Sequence, residues 1–191
     1  MPTRAEILDT LAASQTQVLA FFQGLSQADL ERPATVSGVP GEAAWRAKEH
    51  FAHLVKSERN IQHLLRHALA GETRDVLLRL QYPEGMPLPG TLGDWDALTL
   101  EEQERLELAV ARVNQTYVNA HRDDSTAMLA ADFLAARQDT VDLLHKFTDE
   151  QLATLVPTVI GDRAAGDLFA GRAGHASVHI SWIEEGFRQG L

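Results

Sequence analysis

The chain contains no cysteine. Disulfides, thiolate metal ligands and a cysteine nucleophile are therefore excluded. Any metal must rest on His, Asp or Glu, and any thiol chemistry needs a thiol brought by another molecule. Positive charge is scarce: 17 Lys and Arg stand against 27 Asp and Glu, a formal net charge of -10 over 191 residues. On that balance nucleic acid is not an expected partner, because phosphates want a basic patch. An anionic membrane surface is excluded on the same ground. Long apolar runs are missing too. None is long enough to span a bilayer, and MPTRAEILDTLAASQ lacks the apolar core of a signal peptide. A cytoplasmic location is the expectation. Apolar content of 45% is ordinary, and 191 residues suit a single domain (1–191) able to bury a full core.

Strand-like alternation is absent, and apolar residues recur at helical spacing almost throughout. This predicts four long helices. The first runs from about Thr3 to Gly24, with Ile7, Leu8, Leu11, Val18, Leu19 and Phe22 as its stripe. The second runs from about Glu42 to Ala70 and stops at Gly71. The third covers about Ser125 to Phe147, with Leu129, Phe133, Val141 and Leu144 facing in. The fourth covers about Ala164 to Gln189, with Phe169, Ile180, Ile183 and Phe187. Between the second and third lies an insertion. Its QYPEGMPLPGTLGDW is rich in Pro and Gly and is expected to be irregular. A further helix follows, opened by a capping-box pair, Thr99 and Glu102. Such an insertion serves as a lid, a site wall or a plain connection.

The halves of the chain echo each other. LSQADLERP follows the first helix and FTDEQLATLVP follows the third, although their prolines stand at different offsets. His53 lies 27 residues after Ser26, and His175 lies 27 after Thr148. The match predicts a pseudo-twofold of two helical hairpins with His53 and His175 as mates.

Placed on a wheel at about 100° per residue, the second helix has Phe51, Leu54, Ile61, Leu65 and Leu69 on its apolar face. His50 falls within that face and His53 at its border. His63 and His67 fall on the opposite border with Lys56 and Glu49, a side expected to meet water. On the fourth helix His175 and His179 sit together at the core edge, with Leu168 and Trp182. Imidazoles at i and i+4 project from one face and can grip one ion. With eight histidines in the chain, one such pair by chance is unremarkable. The third histidine, at the matching border of another helix, is what suggests a site, since bundles build metal sites from facing helices. Three neutral imidazoles suit zinc or nickel and leave a position for water or substrate. The bland alternative is three satisfied histidines at the edge of the core. Glu58 is a candidate base or a solvated surface acid. Arg172 could hold an anionic substrate or form a surface ion pair. Trp45 and Trp182 wall a pocket or fill the core.

WRAKEHFAHLVKSE, with Trp45, His53, Leu54 and Glu58, resembles the second-helix signature of the DinB-like (YfiT) superfamily. HASVHISWI resembles that superfamily's last-helix motif, whose two ligands stand four apart. VNQTYVNAHRDDS through FTDEQL is most similar to the ClbS/DfsB-like branch. The resemblance covers essentially the whole chain. It implies an all-α four-helix bundle of up-down-down-up type, here with an extra helix and long loop between the second and third helices. It implies a divalent metal on His53, His175 and His179, and homodimers are common in the superfamily. Relatives act on small molecules, some as small-thiol-dependent transferases using a low-molecular-weight thiol cosubstrate, others as hydrolases. ClbS-like relatives protect against genotoxic metabolites by hydrolysis or sequestration. A non-catalytic dimer with a vestigial site is the remaining reading. His50 stands where an apolar residue is usual, as a partner of the site or a competing ligand. Ala176 replaces the aromatic that follows the first His in many ClbS-like members, which removes the ground for carrying over their substrate.

Overall fold

Thr3 starts the first helix by accepting from the Glu6 backbone N–H, while the Glu6 carboxylate takes the Thr3 N–H, a reciprocal cap that satisfies two otherwise orphaned donors. From there the computed structural model, which describes residues 1–86 and 94–191, is built on four long helices. These are α1 (Arg4–Gly24), α3 (Ala47–Leu69), α6 (Thr126–Leu144) and α8 (Ala165–Gln189). Between them lie three short helices, α2 (Gln27–Glu31), α4 (Arg74–Arg79) and α7 (Asp149–Ala153), and α5 (Leu100–Ala120), which is as long as α1 but belongs to the insertion.

The direction of each long helix follows from its contacts. Ser177 of α8 bonds Gln17 of α1, and Gly166 lies against Ile7, so α1 and α8 run parallel. Phe51 packs on Phe133, and further along Gln62 bonds Thr140, so α3 and α6 run parallel. His50 meets His179 while Ser57 meets Arg172, so α3 and α8 are antiparallel. The bundle is up-down-down-up. Its core has two apolar clusters. One is centred on Phe22, stacked 4.3 Å from Phe51, with Phe133 and Ile183. The other gathers Ile7, Leu11, Leu65, Leu144 and Phe169. Burying each of these large side chains contributes about 1.5–3 kcal/mol.

The helical stripes are where periodicity put them, and three of the four helix starts agree within one residue; one start and one end do not. The second long helix begins at Ala47 rather than near Glu42. Trp45–Arg46 (β2) instead pairs antiparallel with Pro33–Thr35 (β1), and the Glu49 carboxylate accepts from the Arg46 N–H at the helix start. A matching ladder joins Leu155–Val156 (β3) to Arg163–Ala164 (β4) ahead of α8. Ladders of two or three residues are too short to show alternation, so none was expected. The third long helix stops at Leu144 rather than Phe147, because the carbonyls of Leu144 and Phe147 turn to the Arg4 guanidinium at 2.6 and 2.5 Å. α4 had no expectation. PLPGTLG of the Pro- and Gly-rich insertion lies outside the described residues, while α5 has the Thr99–Glu102 capping box.

The repeat is real at the level of elements: a long helix, a capped short helix, a ladder and a second long helix occur twice. Ser26 and Thr148 make the same capping box, and the Ala47 and Ala165 N–H groups donate back to Arg32 and Thr154. The first linker is longer, however. His53 is the seventh residue of α3 and His175 the eleventh of α8, so the two are one turn out of register and are not mates. Gly186 ties β1 to α8. A Cβ there would fall 1.8 Å from the Ala34 carbonyl oxygen, so no other residue fits.

Candidate metal centre

α3 and α8 cross with their histidines face to face. His53, His175 and His179 each offer a ring nitrogen, and these atoms lie within 4.8 Å of one another. The His175 and His179 Nε2 atoms are 3.2 Å apart, and the His53 ring centre is 4.7 Å from that of His179. Both i, i+4 histidines therefore point at the place that His53 reaches from the opposite helix. His53 and His179 are buried and His175 half-buried.

Burial decides their charge. His53 is pushed down to about 2, by burial first and then by His179, His175 and the Lys56 ammonium. His175 falls to about 3 by burial, with His179 and Arg172 adding, and His179 falls to about 4 by burial alone. All three are neutral at pH 7, the state in which imidazole offers a lone pair to a metal. His53 Nδ1 is buried with no hydrogen-bond partner among the described residues. An orphaned buried nitrogen of this kind costs about 1–3 kcal/mol, and no side chain among the described residues satisfies it. The donor set fits a borderline divalent ion.

His50 is not one of the three. Its Nδ1 lies 2.8 Å from His179 Nδ1 and its Nε2 lies 2.9 Å from Thr35 Oγ1, so both ring nitrogens are engaged. One tautomer chain frees a lone pair on the shared site: His179 Nδ1–H donates to His50 Nδ1, and His50 Nε2–H donates to Thr35. His179 Nε2 is then bare and aimed at His175. This is how a neighbour fixes the orientation of a ligating histidine.

A cavity of about 500 Å³ opens over the histidines. Trp45 and Trp182 wall it, and Ala111 and Asn114 of α5 close another side, so the insertion is a wall of the site. Trp45 Nε1 is fixed 2.7 Å from Gln115 Oε1, while Trp182 is half exposed at the mouth and meets His179 edge-on.

Several expectations need correction. Glu58 is neither a base nor solvated. It is buried, held by Arg137 Nη2 at 2.8 Å and Thr140 Oγ1 at 2.6 Å, because α6 covers that face of α3. Lys56 and Glu49 do not meet water either. Lys56 is covered by α5, where its Nζ donates to Asn114 Oδ1 at 2.6 Å. Glu49 is enclosed by Arg46 and Arg122. Arg172 forms no ion pair among the described residues; its Nη1 donates to Ser57 Oγ at 2.8 Å. His63 is exposed, as expected, and stands with His67 away from the cluster. Arg137, fully buried between Glu58 and the Leu11 carbonyl, had no expectation. Its signal was a charged residue inside the apolar stripe of Phe133 and Leu144.

No protein-family model and no curated protein matches the chain. Among solved structures, the colibactin self-resistance protein ClbS in complex with a dsDNA matches with a TM-score of 0.63 at 11% identity, covering 95% of this chain and 94% of that one. The fold is thus that of ClbS, in line with the ClbS/DfsB-like resemblance of the sequence. This likeness also overturns one expectation. Net charge does not exclude nucleic acid for this fold, because ClbS has it and is seen with dsDNA. Net charge sums the whole surface, whereas phosphates respond to the local arrangement of cations. Among the described residues no helix is long and apolar enough to cross a membrane.

Proposed function

We propose that the chain is a metal-dependent enzyme acting on a reactive small molecule, with His53, His175 and His179 as ligands of zinc or nickel. The observation that carries this reading is the convergence of three neutral imidazoles within 4.8 Å beneath a cavity of about 500 Å³. A bound divalent ion supplies a nucleophile at neutral pH, by acidifying either water or the thiol of a small cosubstrate. The chain's own residues set the rest. His50 and Thr35 hold the His179 ring in place. Trp45 and Trp182 offer apolar faces to a substrate beside the histidines. Glu58 is locked to Arg137 and Glu49 to Arg46 and Arg122, so neither buried carboxylate among the described residues is free to act as base. The proton lost by water or by the thiol would therefore pass to solvent at the cavity mouth, not to an acid side chain. The test offers metal-loaded protein an epoxide electrophile with and without small thiols, with products followed by mass spectrometry. Turnover that is lost in His53→Ala supports the reading, and no turnover with any thiol or water contradicts it.

The likeness to ClbS favours a second reading, a resistance protein that sequesters its ligand. Under it the same experiment gives protection that saturates at the protein concentration and survives His53→Ala. Titration of labelled dsDNA would show whether this chain shares that partner of ClbS.

A further inference from the structure

A second cavity, of about 820 Å³, lies beside the histidine cavity and shares Asn114 with it. Its wall carries Lys56 and Arg172 among apolar side chains such as Ile61, Leu64 and Val113. Both cations have few partners among the described residues. The Lys56 ammonium has three N–H donors, and its one hydrogen bond among the described residues goes to the neutral Asn114 amide oxygen. The Arg172 guanidinium has five, and its one hydrogen bond among the described residues goes to the neutral Ser57 hydroxyl. Its Nε is buried and has no acceptor among the described residues. The nearby carboxylate of Glu58 is engaged by Arg137 and Thr140 and makes no hydrogen bond or ion pair with Arg172 among the described residues. Glu84, the acid in the cavity lining, is exposed at the rim and pairs with neither cation among the described residues. PLPGTLG, outside the description, contains no acid.

Uncompensated cations beside apolar surface are costly in a folded chain, since buried charges are normally paired. Burial holds the Lys56 ammonium down at about 8 and pulls Arg172 below its ordinary value, with Glu58 opposing. Both stay charged at pH 7, so the missing partner is an anion.

We infer that this cavity is a recognition site for an amphiphilic small molecule, with Lys56 and Arg172 taking its anionic headgroup and the Ile61, Leu64 and Val113 side taking its apolar body. Guanidinium and ammonium groups in a partly dry pocket make charge-assisted hydrogen bonds to such a headgroup. Because Asn114 lines both cavities, a ligand anchored here has its far end within reach of the histidine cavity. That last step rests on the functional reading above; the binding itself does not.

The test compares 4-phenylbutyrate with neutral 4-phenylbutanamide by titration calorimetry on the full chain, before and after chelation. The carboxylate is expected to bind about 10-fold or more tightly than the amide, in keeping with the weight of charge-assisted hydrogen bonds. Arg172→Gln and Lys56→Gln are each expected to reduce that preference to a few-fold. Circular dichroism checks their folding, and if one is unfolded the other carries the comparison. A preference unchanged by chelation, in a protein that binds no zinc, would sink the metal reading and leave this one standing. Equal affinities for the two probes, a preference that survives both substitutions, or no binding of either probe overturns the inference.

Discussion

His50 lies outside the three proposed ligands and would still govern how one of them is oriented. It sits between His179 and Thr35 with both ring nitrogens used. Its loss would free the His179 ring to turn. His50→Ala is therefore expected to weaken metal binding by about 10–100-fold without unfolding the chain, as read by competition with a chromophoric chelator. An unchanged affinity would show that His179 is oriented by packing alone. The same histidines make the metal-free protein sensitive to acid. Burial and their neighbours hold His50 and His175 at about 3, His53 at about 2 and His179 at about 4, below the ordinary 6.5. The unfolded chain thus takes up protons first. Their stabilising effect is whole above about pH 6.5 and is lost as pH falls through the folded values, at about 1.4 kcal/mol per pH unit for each histidine left neutral. Urea midpoints of chelated protein should drop steadily from pH 7 to pH 5, and flat midpoints would contradict the assigned burial. At this scale the sequence was legible where spacing speaks: His175 and His179 share a face whatever surrounds them. Lys56 and Glu58 were not legible. Which side of α3 is covered depends on α5 and α6, distant in the chain, and no wheel of α3 alone contains them.

Among the elements, α3 and α6 are joined by a buried polar network. Arg137 reaches from α6 to Glu58 on α3 and to the Leu11 carbonyl on α1, and Thr140 and Gln62 complete it. Removing one partner strands a buried charge. Arg137→Leu is expected to destabilise by about 3–5 kcal/mol, whereas Arg137→Leu with Glu58→Met should recover most of that. A double-mutant cycle by urea denaturation reads both. If the single variant costs no more than the double, the pair is not the tie it is taken to be. Apolar periodicity located every long helix, because the stripes of Ile7, Leu11, Val18 and Phe22 or of Leu129, Phe133 and Leu144 face the core directly. It misplaced the start of α3, because that end is set by the β1–β2 pairing. Strand pairs this short leave no pattern in sequence.

At the scale of the molecule, the up-down-down-up arrangement brings α3 and α8 together as antiparallel neighbours and places the histidines opposite one another. The repeated halves were visible in LSQADL and FTDEQL, and their agreement at 27 residues suggested that His53 and His175 were mates. The longer first linker breaks that equivalence by one helical turn. The turn matters, because it lets two histidines of α8 flank one of α3 instead of opposing it singly. Partners were the least legible property, since a net charge carries no information on where the cations lie. The central claim is that the bundle closes a three-histidine metal site. Metal content by mass spectrometry on tag-free protein, beside His179→Ala, tests it most directly. About one equivalent of a divalent ion per chain, lost in the variant, is the predicted result. No ion retained after zinc and nickel have each been offered would contradict it.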